Sequence, residues 1–151
     1  MVYTGFWESN TALKAMYGDF LDPVCTKFDL TRAQIDILLF LLTNPDLDTA
    51  TDIVQSRRLT KSHISISLRE LVDRGFIERD YRDGNRKTVH LVMTERAKPV
   101  LEEGRKAQIA FSEALFEGIS DDVRKALLEG ARIMQDNARL YFRRKKTDTQ
   151  E

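Results

Sequence analysis

Between residues 7 and 28 the side chains Leu13, Met16, Tyr17, Phe20, Leu21, Val24 and Phe28 recur at three- to four-residue intervals, which places them on one face of a helix. Pro23 falls inside that stretch and predicts a bend or an interruption. Thr31 followed by Gln34 has the spacing of a capping box, so a mostly buried helix is expected over Ile35 to Leu42, ended by Pro45. A short helix is expected from about Thr49 to Gln55 with Thr49 as its N-cap, followed by the connector Ser56 to Leu59. Thr60 caps the next helix, over 61–74, and Gly75 stands where a left-handed residue closes it. Ile64, Leu68, Leu71 and Val72 form its inner face.

The period then changes from helical to alternating. Phe76 to Tyr81 reads as a strand, Arg82 to Arg86 as a turn rich in Gly and Asn, and Lys87 to Met93 as a returning strand, which makes a β-hairpin. Val92 departs from the alternation of Val89, Leu91 and Met93 with polar neighbours. Two long helices follow, from about Ala97 to Gly118 and from Asp121 to about Arg144, with Pro99 near the start of the first and Ser120 capping the second. The last carries one apolar stripe through Val123, Leu127, Ala131, Met134, Ala138 and Tyr141 and another through Ala126, Ile133 and Leu140. The helix before it has a main stripe through Val100, Ala107, Phe111 and Leu115 and a second through Ile109 and Phe116. One stripe is enough for the core of a single subunit, so the surplus apolar surface implies a second chain, unless the first helix covers it.

The class is mostly α with a small β-hairpin: a winged helix-turn-helix lobe over 30–95, flanked by helical segments 6–28 and 97–144 from both chain ends, with 145–151 as a frayed tail. A length of 151 residues fits one domain, and 42% hydrophobic residues, 32% charged residues, 7 Gly and 3 Pro fit a mostly helical one. The longest apolar run, Ile37 to Leu42, is far short of the ~20 residues of a membrane span, and the N-terminus lacks the basic-then-apolar order of a signal peptide, so no membrane partner and a cytoplasmic location are expected. Cys25 alone cannot form an intrachain disulfide, and with only His63 and His90 beside it no structural metal set is expected. Phosphate-loop, dinucleotide, zinc-protease and nucleophile-elbow motifs are all absent, so neither catalysis nor a cofactor is expected.

The formal net charge of +0 conceals an uneven distribution. Residues 1–56 carry 3 basic against 8 acidic side chains, residues 57–96 carry 10 against 6, and residues 97–151 carry 11 against 10. The basic middle segment coincides with the helix-turn-helix and hairpin, where a phosphate-binding surface would lie, although a solvated face would have the same composition. With Ile64, Leu68 and Leu71 directed inward, the opposite face of that helix presents Ser62, Ile66, Arg69 and Asp73, flanked by His63, Ser65 and Glu70. Short polar groups of this kind let a backbone approach base edges in the major groove, and Ile66 is suited to a thymine methyl. Thr60, Lys61 and Ser62 at the helix start offer groups to a phosphate. On the hairpin, Arg82, Arg86 and Lys87 are candidates for the minor groove or the phosphates, with Asp83 orienting Arg86. Ile66 and the same face would equally suit docking on another protein, so a protein-binding winged-helix module is the alternative.

The order of Leu30-Thr31-Arg32-Ala33-Gln34, Lys61-Ser62-His63-Ile64-Ser65, Leu71 to Arg79 and Asp83-Gly84-Asn85-Arg86 resembles the MarR family over nearly the whole chain. That resemblance implies a homodimer built on the first, fifth and sixth helices, with Ser62 to Arg69 in the major groove of double-stranded DNA and Asp83 and Arg86 as the wing acid and arginine. It also implies a transcriptional regulator, most often a repressor, that binds a palindromic operator and is released by a small aromatic or anionic effector or by cysteine oxidation. Two features depart from the family: Gly84-Asn85 puts two residues where one usually separates the acid from the arginine, and Ala97 stands where a Gly is usual. For an effector, Trp7, Tyr17, Phe20, Phe40 and Phe111 are candidates to line an apolar pocket, or are plain core. Cys25 is the candidate redox residue, set among apolar neighbours with Lys27 as the nearby cation.

Overall fold

In the computed structural model the described residues are 4–57, 60–82 and 84–148, without the side chains of 4–9, 57, 142, 143 and 145–148. The elements run α1 (Thr4–Phe28), α2 (Arg32–Thr43), α3 (Ala50–Arg57), α4 (Lys61–Asp73), β1 (Ile77–Asp80), β2 (His90–Met93), a 3₁₀ turn (Glu95–Ala97), α5 (Lys98–Leu115) and α6 (Asp121–Asp148). The chain divides into two compact units, 1–112 and 113–151.

The first unit contains α1 to α4, the hairpin and most of α5. Each of its short helices starts at a residue whose side chain satisfies a free N–H group. Thr31 accepts from the Gln34 N–H while the Gln34 side chain accepts from the Thr31 N–H at 2.8 Å, so the capping box forms. Thr49 and Asp52 make the same reciprocal pair ahead of α3, at 3.0 and 3.2 Å. Thr60 caps α4 by accepting from His63 N–H. At the other end of α4, Gly75 takes φ 74° and the Phe76 N–H donates back to the Leu71 carbonyl at 2.9 Å, the closure that a left-handed residue permits. α1 closes similarly without a glycine: Asp29 takes φ 52° and Leu30 N–H donates to the Cys25 carbonyl at 3.0 Å.

These helices surround a core that includes Leu21, Ile35, Leu38, Ile53, Ile64 and Leu71, all fully buried. α5 approaches α2 closely at Gly104, where an added Cβ would lie 3.1 Å from the Leu39 side chain. Gln34, only 2% exposed, donates from Nε2 to Glu70 at 2.6 Å, so one side chain both caps α2 and ties it to α4. β1 and β2 pair antiparallel from Ile77 opposite Met93 to Asp80 opposite His90. Arg74 donates to the Phe28 and Asp29 carbonyls at the end of α1, and its guanidinium lies 5.3 Å from the Phe76 ring, as does that of Arg96.

Four expectations are corrected. Pro23 does not interrupt α1, which runs through it; Pro23 is exposed, so the carbonyl left without a helical partner is on the solvent side. Both strands are shorter than their patterns: past them the chain makes turn bonds instead, Asn85 N–H to the Arg82 carbonyl and Lys87 N–H to the Asn85 side chain. Val92 fits the alternation after all, exposed beside buried Leu91. The helical backbone of α6 continues through Asp148, past the expected end near Arg144.

In the second unit Gly118, at φ 74°, lies between the end of α5 and α6, and Arg124 N–H donates to the Ser120 carbonyl at 2.8 Å. Asp121 and Asp122 occupy the first turn, where acidic groups oppose the helix dipole favourably. Val123, Leu127, Leu128, Ile133, Met134, Leu140 and Tyr141 on α6 are all exposed in the single chain.

Gln34→Glu keeps an acceptor for the Thr31 N–H but sets two carboxylates against each other. It is expected to lower unfolding free energy by about 1–3 kcal/mol at neutral pH and to recover part of that in acid, as urea unfolding at two pH values would record.

Candidate nucleic-acid interface

α4 is held by its apolar side. Ile64, Leu68 and Leu71 are buried, and the half-buried Val72 packs beside them. At 100° per residue this turns Ser62, His63, Ser65, Ile66 and Arg69 outward, and all five are exposed, as is Asp73 at the end of the helix. Ile66 is 46% exposed, an apolar side chain among polar ones. Thr60 and Lys61 at the start of the helix are exposed too, with the Thr60 and Ser62 hydroxyls 3.3 Å apart. The Thr60 hydroxyl accepts from His63 N–H as the cap and keeps its own O–H to donate, so Thr60, Lys61 and Ser62 all present groups for an anion at this end. Glu70, on the flank of the same face, has its carboxylate engaged by Gln34.

The hairpin supplies the second basic surface. Arg86 and Lys87 are exposed and make no ion pair among the described residues. Gly84 takes φ 71° in the turn, and Asn85 donates to the Thr88 hydroxyl at 3.2 Å. Asp83 lies outside the described residues. Arg82 has a different role from the one its position suggests: its Nη2 pairs with Asp48 at 2.8 Å and its Nε with Asp80 at 3.3 Å. These pairs engage its charge within the protein, while its side chain stays 47% exposed.

Asp48 was not legible as a functional residue. It lies in the connector between α2 and α3, is only 8% exposed, and holds two distant groups at once. Its Oδ2 takes Arg82 and its Oδ1 lies 2.7 Å from Nδ1 of His90; with a carboxylate as acceptor, that ring nitrogen carries the proton. Its backbone carbonyl accepts from Leu91 N–H at 2.8 Å. Burial works to raise the Asp48 pKa, but the His90 hydrogen bond and the Arg82 charge outweigh it and hold the carboxyl below its ordinary value. His90 is 42 residues away in sequence, so no local spacing could signal the contact.

Of the five aromatic candidates for an apolar pocket, Tyr17 and Phe111 meet edge to face at 5.1 Å and, with Leu13, Lys14 and Gln108, line an open groove of about 390 Å³ between α1 and α5. Gln108 donates to the Tyr17 hydroxyl at 2.9 Å, and the Arg32 guanidinium lies 4.6 Å from the Tyr17 ring. Phe20 packs on Phe111 at 5.9 Å. Phe40 is 4% exposed and is core, and the Trp7 side chain lies outside the described residues. Cys25 is half-buried; burial, followed by the Asp22 charge, pushes its thiol pKa up, which opposes the thiolate that a redox sensor needs. Among the described residues no cluster of His, Cys, Asp and Glu is arranged for a metal, and no helix is long and apolar enough to cross a membrane.

Residues 28–85, which span the end of α1 through the hairpin turn, match the sequence profile described as the MarR family. An uncharacterized HTH-type transcriptional regulator of Bacillus cereus is 32% identical over 102 residues, covering 68% of this chain and 67% of the relative. Among solved structures, MarR aligns with a TM-score of 0.73 at 22% identity over 91% of each chain. The MepR–DNA complex of S. aureus aligns with a TM-score of 0.71 at 19% identity over 91% of this chain and 96% of that one. At these identities the structural likeness establishes the fold.

Because the Asp48 pKa is lowered on folding, its contribution is present above the ordinary carboxylate range and lost as pH falls through the lowered value. Protection of the Leu91 amide, relative to the Phe76 amide in the same lobe, is therefore expected to hold at pH 5 and above and to drop only in stronger acid. In Asp48→Asn the acid step should be missing. Hydrogen exchange across pH tests both.

Proposed function

The chain belongs to the MarR family of helix-turn-helix, DNA-binding transcriptional regulators, and from that premise we propose that it is a cytoplasmic repressor that binds a palindromic operator as a homodimer and is released by a small aromatic or anionic compound. The observation that carries this reading is the outward face of α4, where Ser62, His63, Ser65, Ile66 and Arg69 stand exposed on a helix fixed by its other side. In the major groove Arg69 and His63 are suited to guanine acceptors and Ile66 to a thymine methyl, while Lys61 and Ser62 hold a phosphate and set the register. Arg86 and Lys87 extend the contact from the hairpin to the flanking backbone or minor groove. That MepR, similar in fold, is found in complex with DNA supports reading this chain as a DNA binder.

The second subunit is supported by the apolar residues exposed along α6, which a chain acting alone would leave in water. Burying them between two copies sets the spacing of the reading helices, and successive major grooves on one face of a duplex lie about 34 Å apart. The effector is supported by the groove at Tyr17, Gln108 and Phe111, which Lys14 also lines. A ligand that favours another spacing lowers operator affinity without touching a DNA-contacting residue. Within this reading 1–151 works as one domain, with the lobe 30–95 reading DNA and segments 6–28 and 97–144 joining subunits.

Selection from a random duplex pool at fixed salt should enrich a two-fold palindrome with half-sites about one helical turn apart; no enrichment would remove both the reader and the dimer. On the selected duplex, Arg86→Ala should weaken binding to all sequences and lower the salt slope by about one, whereas Ile66→Ala should change the preferred base at one position per half-site.

A further inference from the structure

We infer that Asp48 is the positioning residue of the wing, clamping the neck of the loop that carries Arg86 and Lys87. The inference rests on the DNA reading above. Asp48 grips both sides of that loop: Arg82, two residues after β1, through Oδ2 at 2.8 Å, and His90, the first residue of β2, through Oδ1 at 2.7 Å. Its carbonyl takes the next amide, that of Leu91. Asp80 faces His90 across the strand pair and takes the other side of the Arg82 guanidinium, so the clamp comprises Asp48, Arg82, Asp80 and His90. The two strands are only four residues each, and without an anchor a short two-stranded ribbon is marginal in water. Beyond the neck, the described order is local, carried largely by Asn85. The direction in which Arg86 and Lys87 leave the protein is therefore set at Asp48, in a connector on the other side of α4 in sequence.

Simple electrostatics and this inference predict opposite signs. Asp48→Asn removes a negative charge and leaves the Arg82 guanidinium with Asp80 as its only charged partner among the described residues, so if charge alone mattered the variant would bind a polyanion more tightly. If Asp48 positions the wing, the variant binds more weakly, because Arg86 and Lys87 lose their fixed approach. Arg86 tells a positioning effect from general damage to the fold. Once Arg86 is absent, a misplaced wing has less to lose, whereas a damaged lobe binds worse in either background.

Equilibrium binding to the selected duplex at fixed salt and neutral pH is measured for wild type, Asp48→Asn, Arg86→Ala and the double variant. Affinity is expected to fall about tenfold on Asp48→Asn in the wild-type background and less than about twofold in the Arg86→Ala background. His90→Leu removes one arm of the clamp and should lose affinity in the same direction, while His90→Gln keeps a donor and should recover most of it. Unchanged or tighter binding by Asp48→Asn, equal losses in the two backgrounds, or wild-type binding by His90→Leu would each overturn the clamp. A wild-type protein that enriches no duplex would instead overturn the DNA reading, and this inference with it.

Discussion

Everything outward about this protein depends on the burial of one side of α4. Ile64, Leu68 and Leu71 are nearly or wholly withdrawn from water, and each is worth about 1.5–3 kcal/mol of transfer free energy. A helix held by three such anchors cannot rotate about its axis without exposing them, so the opposite face is fixed in direction. That constraint lets short, flexible polar side chains such as Ser62 and Ser65 act as a rigid surface. It also explains how Ile66 can stay 46% exposed: the helix has no freedom to turn it inward.

The charges around this face follow a second rule, that an ionic group near it is either engaged by a distant partner or left in solvent. Glu70 keeps its negative charge, but its carboxylate accepts from the buried Gln34, which fixes its place on the flank of the face. Arg82 would add to the basic surface, but it is bound by Asp48 and Asp80. Arg69 on α4 and Arg86 and Lys87 on the hairpin remain exposed. The basic excess of residues 57–96 is therefore a poor measure of the available positive surface, because part of it is spent in holding the hairpin to the α2–α3 connector.

Much of the fold was legible because its signals are local. A Thr and a Gln three apart at 31 and 34, Thr49 and Thr60 before apolar periods, and Gly75 after one are each read within a single helical turn, and each lies where a helix begins or ends. The exposed set on α4 followed from the 100° rotation per residue. The misreadings arose where a local rule met a long-range one. Pro23 breaks helices in isolation, yet α1 continues through it because the packed face of Leu21 and Val24 continues on the other side. Phe40, open in the sequence to either a pocket or the core, is core; periodicity could not choose, because it does not tell which neighbour covers a side chain.

The sequence by itself determined where helices start and stop, which side of each is apolar, and which short polar residues stand opposite the anchors of α4. These depend on hydrogen bonds and packing between residues three or four apart, which the order of residues states directly. Only the tertiary structure decided which charged groups are free and which are engaged. Asp48 meets Arg82 and His90, and Gln34 meets Glu70, across separations of 34 to 42 and of 36 residues. Such contacts form because the chain has folded around its core, and the pattern of residues on either side carries no trace of them.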